Sequence, residues 1–235
     1  MKNYFFYITI IFLFLFSSCV SKKKFVYLQG SQDFSNISTN YDPIIQNDDL
    51  LSIIVTTQEV EAAVPFNLPN YLVDNEGKID FPVIGNIQVS GYSIKELKSM
   101  LKQKLTTHLI DPVINVKILN FKVTVLGDVS LPGIKSFNNH RVTLFDAIGA
   151  SGDLSVYAKR YNVLIVRDIQ GLKTFNRVDI TKADFVNSPF YYMDQNDLVY
   201  VEQRKAKINT TALPSLPLYA SIFSLLLTVT LLVTK

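Results

Sequence analysis

The chain has 235 residues, of which 48% are hydrophobic and 18% are charged, and this length allows one large domain or two small ones. Its single cysteine excludes an internal disulfide framework. The formal charge of +3 comes from the chain ends, because residues 25–203 hold 15 Lys and Arg against 20 Asp and Glu, and this distribution argues against nucleic-acid binding.

The N-terminus predicts a lipoprotein signal peptide. Residues 1–18 contain an apolar run that is too short to span a membrane comfortably and that ends in small residues. These small residues stand directly before Cys19, as in a bacterial lipobox, and the resemblance implies cleavage there and acylation of Cys19. An uncleaved signal anchor with a buried cysteine is the alternative. We rank it second, because the only cysteine of the chain lies at the predicted cut.

Residues 19–40 are predicted to be a lipidated, polar tether. Three consecutive lysines, Lys22 to Lys24, follow the apolar N-terminus, and basic residues beside an apolar end suit an anionic membrane surface. Within the tether, residues 25–30 (FVYLQG) either pair along a neighbouring strand or form a loop.

Residues 41–120 are predicted to form the first of two small, sheet-rich domains. Ser93 and Glu96 have the spacing of a capping box, and the apolar residues after them recur at helical spacing. The predicted elements, in chain order, are the strand Leu50 to Thr56, the strand, turn, strand and helix unit Tyr71 to Leu105, and the half-buried strand Val113 to Leu119.

Residues 121–203 are predicted to form the second domain. Thr143 can cap a short helix, with Asp146 in its first turn. The order of two strands, a helix and then further strands resembles a β-grasp domain. The later strands are expected at Tyr161 to Arg167, Leu172 to Val178 and Leu198 to Val201.

One short pattern occurs in both domains. Gln46-Asn47-Asp48 and Gln195-Asn196-Asp197 each precede a predicted strand, and Asn and Asp favour turns because they bond their own backbone. A paired acidic site is the alternative. The turn interpretation is favoured, since Asp48 and the adjacent Asp49 would point to opposite faces of a strand.

Residues 204–235 are predicted to contain a C-terminal membrane helix, since 208–234 carry no charge. Ser221, Ser224 and Thr228 fall at i, i+3 and i+7, so they form a hydroxyl stripe on an otherwise apolar surface. The stripe either faces another helix or water, or it belongs to a plain tail anchor whose hydroxyls bond their own backbone. The residues alone leave both interpretations open.

Three stretches carry a family resemblance: Ile45 to Val55, Val73 to Ser93 and Asp111 to Gly133. In this order they are similar to the polysaccharide export family, the Wza-type outer-membrane lipoproteins of Gram-negative bacteria. The resemblance implies an α+β chain with a polysaccharide export domain, one soluble-ligand-binding β-grasp (SLBB) domain and a transmembrane helix. Ala150-Ser151-Gly152 departs from the Ala-Gly-Gly of the family, and the second β-grasp domain of longer members is missing.

The resemblance also implies a function. Such proteins sit in the outer membrane with periplasmic domains and form a homo-oligomeric ring, such as an octamer, that exports capsular or exopolysaccharide. Their partner is an inner-membrane polysaccharide co-polymerase, often with a tyrosine-kinase domain. Ser221, Ser224 and Thr228 would then line the pore, and Cys19 would hold the lipid. The alternative is a saccharide-binding lipoprotein that is anchored at both ends and forms no channel.

No active site is predicted, and an envelope enzyme ranks third. His108 and His140 are the only histidines and are far apart in sequence, so neither a metal nor a cofactor is expected. The chain has no P-loop or dinucleotide glycine pattern, and GASGD is not a nucleophile elbow.

Overall fold

The computed structural model describes residues 25–30, 41–169, 171–204, 219–225 and 228. The signal peptide, Cys19 and most of the predicted C-terminal helix lie outside these residues. In the described part the chain is α+β and rich in sheets, as predicted. It forms a first unit, residues 41–119, and a second unit, residues 120–204 with 25–30.

The first unit is built around a three-stranded antiparallel sheet and a separate hairpin. The central strand β1 has β2 on one side and β5 on the other, and β3 pairs with β4. The strand β4 was not predicted. The elements are β1 (Leu50–Thr56), α1 (Val60–Ala63), β2 (Tyr71–Leu72), β3 (Lys78–Phe81), β4 (Gly85–Gln88), α2 (Ile94–Leu105) and β5 (Val113–Ile118).

Helix α2 begins with the predicted capping box. The amide of Glu96 donates to the Ser93 hydroxyl (3.2 Å), and the amide of Ser93 donates to the Glu96 carboxylate (2.8 Å). These reciprocal bonds satisfy two amides that have no partner inside the helix. The buried face of the helix is the predicted apolar one, and it consists of Ile94, Leu97, Leu101 and Leu105.

The second unit is a five-stranded mixed sheet in the order β10-β9-β12-β6-β7. Its first and last strands, β6 and β12, pair in parallel at the centre, and this is the strand order of a β-grasp sheet. The elements are β6 (Lys122–Gly127), β7 (Gly133–Ser136), β8 (Val142–Thr143), α3 (Leu144–Ala150), β9 (Ala158–Ile169), β10 (Leu172–Val178), β11 (Tyr192–Met193) and β12 (Leu198–Gln203). The order of its elements follows the β-grasp expectation, whereas its SLBB identity stays a prediction.

Gly127 explains how β6 can end against β12. It has φ +95°, and a Cβ built there would overlap the carbonyl oxygen of Val201. Only glycine therefore fits at this close approach of two backbones.

The segment 25–30 lies along the second unit, where it pairs at one isolated bridge, at Gln29, and is otherwise a loop, so each interpretation holds for part of it. The amide of Gln29 donates to the carbonyl of Thr181 (2.6 Å), and the amide of Ala183 donates back to the carbonyl of Gln29 (3.0 Å). A parallel bridge joins Gln29 and Lys182. The first unit is therefore inserted in sequence between two parts of the second.

Near the C-terminus, residues 219–225 are helical and exposed. Within the ranges that the structure describes, no helix is both long and apolar enough to cross a membrane.

Candidate functional site

Two of the three predicted pore-lining hydroxyls, those of Ser224 and Thr228, bond the backbone of their own helix. Ser224 donates to the carbonyl of Ser221 (3.0 Å), and Thr228 donates to the carbonyl of Ser224 (3.0 Å). A plain anchor would make the same bonds. The assignment of Ser221, Ser224 and Thr228 to a pore lumen therefore stays a prediction, as does the lipidation of Cys19.

Among the described residues there is no group of three or more His, Cys, Asp or Glu side chains that could hold a metal ion. The two histidines lie in different places. His108 is near the ring of Phe66, at 6.2 Å between centroids. Burial lowers the pKa of His140, and the charges of Lys98 and Arg141 lower it further.

The pattern shared by the two domains forms two matching turns, so the turn interpretation is confirmed. Asp48 (φ +67°) and Asn196 (φ +63°) both have left-handed backbone, which Asn and Asp tolerate. Each is followed by a buried aspartate, Asp49 or Asp197, that accepts the amide three residues earlier, at 2.9 and 2.8 Å. The structural match pairs Asp48 with Asn196, one residue away from the alignment of the two Gln-Asn-Asp triplets.

The two turns meet at a polar joint between the units, formed by Asp49, Asn120 and Gln195. Asn120 accepts the amide of Leu50 (2.9 Å) and donates to the carbonyl of Asp48 (2.9 Å). Gln195 in turn donates to the carbonyl of Asn120 (3.1 Å). One asparagine and one glutamine thus connect the start of β1 to the turn before β12.

Asp49 is the residue of this joint whose burial is energetically unfavourable. Asp49 is buried with 0% exposure, and within the described ranges its Oδ1 accepts no hydrogen bond. Burial raises the pKa of Asp49 to about 6, against the opposing effects of the Gln46 amide and the Gln195 side chain. A buried carboxylate that is only partly paired is expensive, because the low-dielectric interior disfavours its charge.

Arg167 holds the second turn in place. Its Nε and Nη2 donate to the two oxygens of Asp197 at 3.0 and 2.7 Å, and Nη2 also donates to the carbonyl of Tyr192 at 2.8 Å. Asp194 lies 2.9 Å away from Nη1. Burial alone would lower the pKa of Arg167, but its bonds to Asp197 and the two carboxylate charges outweigh burial and raise it.

Tyr41 connects the beginning of the first unit to the same cluster. Its ring stacks on Tyr192 with centroids 4.7 Å apart, and its hydroxyl donates to the carbonyl of Met193 (2.9 Å) and to Asp194. Burial, together with the charge of Asp194, raises the pKa of Tyr41. Sequence patterns did not identify Tyr41, Asn120 or Arg167, because their partners lie 25 to 153 residues away.

The second unit also carries an outer sheet face, opposite the buried side of its sheet. The strand registers place two rows of side chains across it. The rows are Phe175, Val166, Leu198, Thr124 and Ile134, then Arg177, Leu164, Tyr200 and Leu126.

The outer sheet face has an apolar centre and a polar rim. Phe175 is 70% exposed and Ile134 is 64% exposed, at opposite edges of the sheet. The rim includes the ion pair of Arg177 with Glu202 (2.8 Å). An apolar centre inside a charged rim is the composition of a protein interface.

Comparison with known proteins finds similarities in the first unit. A family model described as polysaccharide biosynthesis/export protein matches residues 37–119. The EPS I polysaccharide export outer membrane protein EpsA of Ralstonia solanacearum is 30% identical over 93 residues, which cover 38% of this chain and 25% of that protein. The protein of the same name from Ralstonia nicotianae is 28% identical over 92 residues, covering 38% and 24%. The chain thus spans about a quarter of the length of these relatives.

Proposed function

We propose that this chain, whose residues 37–119 match the polysaccharide biosynthesis/export family, is an outer-membrane lipoprotein that forms a homo-oligomeric channel for capsular or exopolysaccharide. The family match of the first unit is the observation that carries this proposal. The names of the two relatives, which are outer membrane proteins of polysaccharide export, support the location and the substrate class.

The proposed mechanism is passage, without bond chemistry on the polymer. A conduit needs a hydrated lumen, subunits that exclude lipid, and contact with the machinery that supplies the chain. Here the first unit would face the inner-membrane co-polymerase, and the second unit would lie nearer the outer membrane. The C-terminal helices would line the pore, with the hydroxyls of Ser221, Ser224 and Thr228 toward the lumen.

The outer sheet face supports the oligomer in this proposal. A closed ring needs a contact that each subunit can repeat with the next one, and a single exposed face with an apolar centre can supply one half of it. Phe175 stands out at its edge, because aromatic side chains contribute much of the binding energy at protein interfaces.

We expect Phe175→Asp to reduce the detergent-extracted full-length protein from a large ring to monomers or dimers. A charge placed at this exposed aromatic position must be desolvated when the subunits meet, and this opposes assembly. The mass of the complex, measured by light scattering or native mass spectrometry, gives the result. Val60→Asp is the matched control, because Val60 is an exposed apolar residue (76%) on α1 of the first unit and does not belong to the outer sheet face. This variant should keep the ring.

Two results would contradict the proposal in different ways. A ring of unchanged mass in Phe175→Asp would remove the outer sheet face from the subunit contact. A monomer or dimer in the unmodified protein would remove the channel itself and favour the saccharide-binding lipoprotein.

The pore assignment has its own test. We expect the double variant Ser224→Leu, Thr228→Leu to assemble normally but to export less polysaccharide, because an apolar lumen disfavours a hydrated polymer. The conservative pair Ile222→Leu, Leu225→Ile alters residues outside the hydroxyl stripe and is the control. Surface polysaccharide per cell and ring mass are the two measurements. Normal export by the double variant would exclude these hydroxyls from the lumen.

A further inference from the structure

Two ends of the described core, at Phe25 and at Arg204, lead toward the predicted membrane attachments. These two ends lie side by side. The guanidinium carbon of Arg204 lies 4.2 Å from the ring centroid of Phe25. Phe25 is six residues after Cys19, and Arg204 is the last core residue before the C-terminal segment. The chain therefore approaches and leaves the second unit at one pole.

Other segments at this pole are bonded to one another. The amide of Arg204 donates to the carbonyl of Tyr157 (2.9 Å). The hydroxyl of Tyr27 donates to Asp153, and the guanidinium carbon of Arg160 lies 5.2 Å from the ring centroid of Tyr27. These contacts hold residues 25–27 and 153–157 against the end of β12.

A third segment, the turn after β6, completes the pole. The amide of Leu131 donates to the carbonyl of Ser151 (2.9 Å), and the amide of Ser130 donates to the carbonyl of Asp153 (3.2 Å). Leu131 is exposed, although it is apolar.

The pole carries exposed apolar side chains from all three segments. We call this group the anchor-side patch, and it consists of Val26, Leu131, Val156 and Tyr157. Arg204 provides a positive charge beside it, and further basic residues follow in the sequence at Lys205 and Lys207. The nearby carboxylate of Asp153 accepts bonds from the Tyr27 hydroxyl and the Leu154 amide. Apolar and aromatic groups beside basic ones are typical of a surface that contacts membrane headgroups.

The length of the tether limits where this patch can be. Phe25 follows Cys19 after five intervening residues, and even a fully extended chain between them spans only about 20 Å. A lipid on Cys19 would therefore keep the anchor-side patch close to the membrane surface. Val26, next to Phe25, would be nearest.

We propose that the anchor-side patch rests on the headgroup layer of the membrane that holds Cys19, with Val156 and Tyr157 reaching into its interfacial region. This inference rests on the lipid anchoring in the proposed function. Contact with lipid fixes the orientation of the second unit, because the tether and the patch then bind the same surface.

The chain contains no tryptophan, so a single introduced tryptophan is an unambiguous reporter. Val156→Trp reports on the patch, and Val113→Trp on β5 is the matched control, since the two valines are 63% and 61% exposed. The full-length lipidated variants are reconstituted in vesicles of phosphatidylcholine and phosphatidylglycerol, with or without bromine on the shallow acyl carbons. We expect brominated lipid to reduce the fluorescence of Val156→Trp to about half and to leave the control unchanged.

Flotation of the same vesicles separates the possible failures. Protein that floats with the vesicles but shows no quenching at position 156 overturns the inference and leaves membrane anchoring intact. Protein that does not float overturns the anchoring, and the inference falls with it. A patch covered by a second copy would give a blue-shifted but unquenched tryptophan, which also overturns it. Leu131→Trp repeats the test on a second segment, in case Val156→Trp does not fold.

Discussion

Replacing Arg167 with methionine is expected to lower the free energy of unfolding by about 3–5 kcal/mol. The side chain of Asp197 is fully buried, and Arg167 is the cation that faces both of its oxygens. Burial raises the pKa of Asp197 to about 6 even with Arg167 beside it, so removing the guanidinium leaves an acid that is unfavourable in its charged form in the low-dielectric interior. The carbonyl of Tyr192 also loses its donor. Thermal or urea unfolding, followed by circular dichroism, measures the change.

Two variants separate charge from packing in this prediction. Arg177→Met removes an ion pair in which the arginine is half-exposed, so we expect a loss below about 1 kcal/mol. Adding Asp197→Asn to Arg167→Met should recover part of the stability, because a neutral amide can still accept the amide of Asp194. Equal losses in Arg167→Met and Arg177→Met would contradict the view that Arg167 neutralises a buried charge.

The elements that depend on local sequence were predicted well. The capping box predicted at Ser93 and the helix cap predicted at Thr143 need only residues a few positions apart, and both are present. At Thr143 the structure adds the return bond from Asp146, which makes this cap a capping box as well. The turn interpretation of the shared pattern was also correct, since it rests on the backbone preferences of Asn and Asp. The short strand β4 was missed because it follows β3 after only a few residues and has little apolar alternation of its own.

The parts that carry the functional proposals depend on long-range contacts. The outer sheet face exists only through the registers of five strands, which no single stretch of sequence specifies. The joint depends on Asn120 and Gln195, which are 75 residues apart. The proximity of Phe25 to Arg204 joins the two ends of the described core, and periodicity cannot reveal such a contact.

The comparison of the two Gln-Asn-Asp triplets paired the wrong residues, and the reason is physical. It matched identical letters, Gln-Asn-Asp with Gln-Asn-Asp, whereas the turns are related by their left-handed residue and by the aspartate that follows it. In the first domain that aspartate is Asp49, the second of two adjacent acids. Asp49 and Asp197 are both buried, and burial raises the pKa of each to about 6. Among the described residues, however, Asp197 faces an arginine whereas Asp49 faces none.

This difference predicts that Asp49→Asn stabilises the protein near neutral pH. Burial raises the pKa of Asp49 to about 6 from an ordinary value of 3.8, so the folded chain holds its proton more tightly than the unfolded chain. The stability that this proton provides is present below the unfolded pKa and is lost as the pH rises through the folded pKa. At pH values above about 6 the buried charge then costs about 2–3 kcal/mol, which the neutral asparagine avoids.

The pH profile of unfolding tests this expectation. As the pH rises from about 4 to about 6, the unmodified protein should lose stability, whereas Asp49→Asn should show a flatter profile. The stability advantage of Asp49→Asn over the unmodified protein should therefore disappear in acid. Asp48→Asn is the matched control, because Asp48 is the exposed neighbour whose left-handed backbone suits asparagine. If Asp49→Asn loses stability across this range as steeply as the unmodified protein does, the buried carboxylate is not the group that titrates at the joint. The expected result is a stability gain of Asp49→Asn that is confined to neutral pH. It would mean that protonation of Asp49 stabilises the joint between the two units as the surrounding medium becomes acidic.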